Sequence, residues 1–343
     1  MKLVSYKEDS HEQLGLLIDG HIYNLSKAHS GLPNTMGQFL KLGEAAMEAA
    51  KELDESIKNG EVDIESSEAT EEDLMAPIPH PTSCRDAYAF RQHVAAARRN
   101  RGVEMIPEFD QYPIFYFTNH NATYGPTDDI DCMPDHFHKL DFELEAAIVI
   151  GKQGKNIPAE EADEYIAGYM IMNDMSARVL QMEEMKLNLG PAKGKDFCNI
   201  IGPWLVTPDE LEQNKTTPKE GHVGINYNLQ MKCWVNGKQV SEGNMGDMDW
   251  TFAEIIERCS YGTDLHPGDV IGSGTVGTGC FLELNGTALR NDPNYEPQWL
   301  KDGDVVEMEI TGLGRLKNTI KASGIDFSIL DKKKEEREPA AQI

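Results

Sequence analysis

Residues 141–151 read Asp141-Phe142-Glu143-Leu144-Glu145-Ala146-Ala147-Ile148-Val149-Ile150-Gly151, and the first half alternates strictly between acidic and apolar side chains. A period of two is that of a β-strand, so Asp141, Glu143 and Glu145 are expected on one face and Phe142, Leu144 and Ala146 on the other. Three carboxylates on one surface repel one another. A hard divalent cation such as Mg²⁺, Ca²⁺ or Mn²⁺, which takes oxygen ligands, relieves that repulsion. A solvated strand face in an acidic protein shows the same pattern, so the stretch alone leaves both readings open.

Its neighbours favour the cation. An apolar segment ending AGYMIMN, read as part of a helix over residues 159–180, delivers Asp174, with Arg178 and Gln181 following. An acid leaving a buried segment is costly unless paired or bound to metal, and an ion pair with Arg178 is the competing explanation. The loop GPAKGKDF (190–197) then brings Lys195 forward, suited to a substrate anion. It lacks the strand-to-helix setting and trailing Ser/Thr of a P-loop. The glycine-rich GSGTVGTG (272–279) lies between apolar segments without a crossover helix, which argues against a dinucleotide fold. His136 and His138 would share a strand face, but no nearby cysteine or third histidine completes a tetrahedral zinc set.

Working outward, PIFYFTN (113–119), GPWLVTP (202–208), INYNLQMKCWVNGKQV (225–240), GDVIGSGTVG (268–277), CFLELNG (280–286) and DVVEMEITGLG (304–314) read as further strands. Helices are expected at Ala87–Arg101, Ala159–Leu180 and Asp249–Cys259. Upstream, LLIDGHIYNL (16–25) predicts a hairpin about Asp19-Gly20, and the spacing of Phe39, Leu40, Ala46, Met47, Ala50 and Leu53 predicts an amphipathic helix over 35–59. An acidic stretch at 61–73 and the prolines of PIPHPTSC (77–84) place a boundary near residue 75. The expected organisation is a small N-terminal domain (1–75), a β-rich catalytic domain (76–330) and a charged, mobile tail (331–343).

Over 343 residues, 58 acidic against 32 basic side chains give a net charge of −26, which excludes nucleic acid and anionic membranes as natural partners. No apolar run approaches the roughly 20 residues of a membrane helix. Six dispersed cysteines and a charged opening, MKLVSYKEDSHEQLG, fit free thiols and a cytoplasmic setting without an export signal.

The motifs DFELE, MNDMSARVLQ, GPAKGKDF, GSGTVGTGCFLELNG and LKDGDVVEMEITGLG, together and in this order, resemble the fumarylacetoacetate hydrolase family. The resemblance covers roughly Asp86 to Leu316. It implies an α+β, β-rich fold, a mixed-sheet β-roll with a small N-terminal α/β domain, and a homodimer. It also implies a divalent cation, Mg²⁺ first with Ca²⁺ or Mn²⁺ as alternatives, held by Glu143, Glu145, Asp174 and, as in some members, Asp86.

By the same resemblance, His93 is the catalytic histidine and Glu283 the carboxylate that orients it. Arg178, Gln181 and Lys195 surround the reacting carbonyl, and Tyr88, Tyr116 and Thr275 contact substrate. The implied reaction is hydrolysis of a carbon–carbon bond in a 1,3-dicarbonyl acid such as an acylpyruvate, with water activated by His93 and the oxyanion held by Lys195, Gln181 and Arg178. Decarboxylation or dehydration of a 2-oxo acid is the alternative, and a non-catalytic carboxylate-binding protein a third. Met185 stands where fumarylacetoacetase places a substrate tyrosine, so a different small diketo or oxo acid is the expected ligand.

Overall fold

The computed structural model describes residues 1–334. Part of the expected tail, residues 335–343, lies outside the described residues. The chain opens with β1 (Lys2–Glu8), β2 (His11–Ile18) and β3 (His21–Asn24), β2 and β3 meeting in the hairpin at Asp19-Gly20. The helix expected over 35–59 is two helices, α1 (Met36–Leu42) and α2 (Glu44–Lys58). They part at Gly43, whose φ of 69° lies in the left-handed region that only glycine enters cheaply.

The remainder supplies β4 (Ser83–Ala87), α3 (Arg91–Asn100), β5 (Phe115–Thr118), β6 (Leu144–Ile150), β7 (Ile166–Asp174), α4 (Arg178–Met185) and β8 (Asn199–Val206). It continues through β9 (Gln230–Val235), β10 (Lys238–Asn244), α5 (Phe252–Ser260), β11 (Asp269–Gly272), α6 (Phe281–Asn291), β12 (Val305–Ile310) and β13 (Gly314–Ala322). The fold is strand-rich α+β. Its main sheet runs β3-β2-β1-β8-β7-β6-β11-β4-β5, antiparallel along this order except where β11 meets β4, and a short strand at Thr123–Tyr124 joins β8 in parallel. A second sheet runs β10-β9-β12-β13 and continues to a short strand at Ile130–Cys132.

Two sequence expectations are corrected. The segment read as a helix over 159–180 is mostly strand β7, with only a short helix at Ala159–Ala162 before it and α4 after it. All nine residues of β7 are buried: Tyr169 and Ile171 enter the core that also holds Met231, Cys233 and Met308 of the second sheet, while Ala167, Met170 and Met172 enter a core shared with Met36, Phe39 and Leu40 of α1. A strand covered on both faces has no polar side to reveal its period, so its sequence mimics a buried helix. CFLELNG, in turn, is not a strand but the start of helix α6.

β1 pairs with β8 through Lys2–Val206 and Leu3–Leu205, so the N-terminal strands extend the same sheet that carries the central motifs. No helix among the described residues is long and apolar enough to cross a membrane.

Candidate active site

Four neighbouring strands, β7, β6, β11 and β4, bring Asp174, Glu145, Gly272 and Asp86 side by side, held by the register pairs Glu145–Met172, Ala147–Gly272 and Gly272–Asp86. Gly272 is the floor of the cradle. A Cβ there would lie 2.6 Å from Asp86 Oδ1 and 2.9 Å from both Glu145 Oε2 and Met172 Sδ, so any side chain would fill the space between the carboxylates. Glu143 joins from the irregular link between Asp141 and β6, its N–H donating to Asn173 Oδ1 at 3.0 Å. One oxygen from each of Asp86, Glu143, Glu145 and Asp174 lies within 4.8 Å of the others, and all four residues are buried.

These donors fit a hard divalent cation. Among the described residues, both oxygens of Glu145 and Oδ1 of Asp174 are buried without a hydrogen-bond partner, a costly state that an ion would satisfy. Counting Asp141, five buried carboxylates here meet two buried cations among the described residues, Lys195 and Arg178. The excess charge shows in the proton affinities. Burial, reinforced by Asp174, pushes Asp86 up to about 7, and burial with Asp86 beside it raises Glu145 well above the carboxylate range. Burial pushes Glu143 the same way, but Lys195 and then Arg178 outweigh it and hold that carboxyl low.

Lys195 Nζ lies 2.6 Å from Asp174 Oδ2 and bonds Glu143 as well. Its loop is pressed onto α4. Ala177 N–H donates to Gly194 O at 2.8 Å, Glu184 accepts the N–H groups of Ala192, Lys193 and Gly194, and a Cβ at Gly194 would come within 2.5 Å of Gln181 N. Arg178 Nη2 reaches Glu143 Oε1 at 2.8 Å and Arg178 Nη1 donates to Gln181 Oε1 at 3.0 Å. Tyr116 does not stand free: its hydroxyl donates to Asp174 Oδ2 at 2.5 Å.

Helices α3 and α6 present His93 and Glu283, with His93 Nδ1 2.6 Å from Glu283 Oε2 and both residues buried. Since Nδ1 is engaged, Nε2 is the nitrogen left for proton transfer. His93 also groups with Glu143 and Cys280, each offering an atom within 4.8 Å of the others, so this pair borders the carboxylate cluster. Tyr88 meets the His93 ring edge-on at 6.1 Å. Thr275 is buried and follows Gly274, whose N–H donates to Asp86 Oδ1 at 3.0 Å.

The structure thus brings the sequence-nominated acids, His93, Lys195, Arg178, Gln181, Tyr88 and Tyr116 together, while Thr275 is placed beside them only through its neighbour Gly274, and there is one exception on the acidic face. Asp141 does not join the cation cluster. Its carboxylate accepts from Arg178 and from the backbone of α6. Gly272 and Asn173 escaped the sequence reading, because a glycine's empty volume and an amide holding a neighbour's N–H carry no local signature. His136 is buried against the Phe197 ring at 4.0 Å, its Nδ1 accepting the Met133 N–H.

A family model described as fumarylacetoacetate (FAA) hydrolase C-terminal matches residues 82–321. A mitochondrial oxaloacetate tautomerase of Xenopus laevis is 30% identical over 327 residues, covering 93% of this chain and 90% of that protein. The fumarylacetoacetase of Oryza sativa subsp. japonica is 30% identical over 327 residues, covering 79% of this chain and 76% of the other. Among solved structures, maleylpyruvate hydrolase from Sphingobium sp. SYK-6 in complex with manganese(II) and pyruvate superposes with a TM-score of 0.65 at 20% identity, covering 94% of this chain and 99% of that one.

Proposed function

Because this chain belongs to the fumarylacetoacetate hydrolase family, we propose that it is a divalent-cation-dependent enzyme that interconverts the keto and enol forms of a small 2-oxo diacid, His93 moving the proton. The observation that carries this reading is the His93–Glu283 pair, 2.6 Å apart and bordering four buried carboxylates. Asp86, Glu143, Glu145 and Asp174 would hold the cation, which would supply Lewis-acid stabilisation of the substrate's carbonyl oxygen as charge develops there. Mg²⁺ or Mn²⁺ suits this all-oxygen donor set, as does Ca²⁺.

Glu283 fixes the imidazole with Nε2 as its basic nitrogen, which takes the proton from the carbon beside the carbonyl and returns it to oxygen or carbon. A general base of this kind contributes about 10²–10⁴-fold. Lys195 pairs with Glu143 and Asp174, and it would be freed to meet a substrate carboxylate only where the cation takes over those oxygens. Proton transfer needs nothing more, and two observations favour it. Arg178, a would-be oxyanion donor, is already engaged by Asp141 and Glu143, and the tautomerase match spans nearly the whole chain.

Hydrolysis of a carbon–carbon bond in a diketo acid is the second reading, favoured by the rice fumarylacetoacetase match. It uses the same His93 to deprotonate water. Product analysis on oxaloacetate and a panel of acylpyruvates separates them: the first reading expects faster loss of enol absorbance with no new acid formed. Two carboxylic acids from one substrate would establish the second, and no change with any substrate would overturn both.

A further inference from the structure

Asp141 is fully buried, yet its two oxygens are spent on groups from three parts of the chain. Oδ2 accepts from Arg178 Nε at 2.9 Å, lies 2.8 Å from Arg178 Nη2, and accepts the Leu282 N–H at 2.9 Å; Oδ1 accepts the N–H of Phe281 at 2.7 Å and of Phe142 at 3.0 Å. Two of these belong to the first turn of α6. That helix opens at Cys280 without a side-chain cap of its own, so Asp141 supplies from outside the acceptor that a cap residue normally provides, with a charge that suits the positive end of the helix. One residue further along the same turn is Glu283, which holds His93. On its other side Asp141 fixes the guanidinium that grips Glu143 Oε1 and Gln181 Oε1.

We propose that Asp141 is a positioning residue which sets the His93–Glu283 pair in register with the carboxylate cluster, acting through α6 on one side and Arg178 on the other. This rests on the reading of His93 as the proton-transfer group. Asn at this position keeps the volume, but its amide NH₂ would face either Arg178 and the Leu282 N–H, or the N–H groups of Phe281 and Phe142, donor against donor in both cases, and the helix start shifts. A displacement of about 1 Å at a base can cost on the order of 10²-fold in rate.

The test is a double-mutant cycle on kcat with Asp141→Asn and Glu283→Gln, joined by proton NMR of the metal-loaded enzyme without substrate. Each single variant is expected to lose about 10²-fold, and the double variant little more than the worse single. The downfield signal of the proton between His93 and Glu283 is expected to vanish in Asp141→Asn while the unfolding midpoint confirms a folded protein. Penalties that multiply, or an unchanged downfield signal, would overturn the positioning role alone. Wild-type turnover in Glu283→Gln would instead remove the base reading and the proposal with it. Should Asp141→Asn not fold, Asp141→Glu, which keeps charge and acceptors but adds a methylene, takes its place with the same expectations.

Discussion

At the scale of single residues, the site depends as much on an absence as on its charges. Gly272 leaves open the volume in which the oxygens of Asp86 and Glu145 converge. Gly272→Ala is expected to weaken Mn²⁺ binding at least tenfold by calorimetry, with the metal-free protein still unfolding cooperatively after a loss of about 1–3 kcal/mol; wild-type affinity would show that the cation sits elsewhere. The carboxylates themselves were legible, because alternation in DFELE and an acid after a buried run are local patterns. Which acid serves which purpose was not: Asp141 and Glu143 look alike in the sequence and differ only in what folds against them. His136 gives a second residue-level prediction. Burial, with Lys193 nearby, lowers its pKa from the ordinary 6.5 to about 4. Between those values the unfolded chain binds the proton and the folded chain does not, so this contribution is intact above about pH 6.5 and is lost as pH falls towards 4. The drop in urea midpoint from pH 7 to pH 5 should therefore shrink in His136→Asn, and an equal drop would remove His136 as its source.

At the scale of elements, the sequence was most readable where one face meets solvent or a cap is local. Helix α5 follows Thr251, whose hydroxyl accepts the Glu254 N–H while the Glu254 carboxylate accepts the Thr251 N–H; it runs Phe252–Ser260, starting three residues after the expected Asp249 and ending within one of the expected Cys259. β7 was misread because both faces are buried. α6 was misread because its cap is Asp141, 140 residues away along the chain. The loop carrying Lys195 is held by close approach rather than by length, which yields a prediction at this scale. Gly194→Ala forces the loop off α4 at Gln181, and kcat/KM should fall at least tenfold while metal affinity changes less than threefold, read by steady-state kinetics and calorimetry together. Unchanged kinetics would mean that Lys195 is positioned by its carboxylate partners alone.

Across the whole molecule, the N-terminal strands and helices share a core with the central sheet: Met36, Phe39 and Leu40 pack in one cluster with Ala147, Val149, Met170 and Met172. Calorimetric unfolding of the metal-free protein is expected as one transition, and two resolved transitions would show that residues 1–75 fold separately. A cation bound only by the folded chain, at 100 times its Kd, should add about 2.7 kcal/mol, and so raise that transition. The central claim joins this cation to a proton moved by His93, and deuterium exchange tests both at once. In D₂O, the hydrogens on the carbon beside the carbonyl of a 2-oxo diacid should exchange rapidly for solvent deuterium with the Mn²⁺-loaded or Mg²⁺-loaded protein; the exchange should stop on chelation, resume on re-addition, and fall about 10²-fold or more in His93→Gln despite unchanged metal binding. Exchange that survives chelation, or that His93→Gln retains at the wild-type rate, would contradict it.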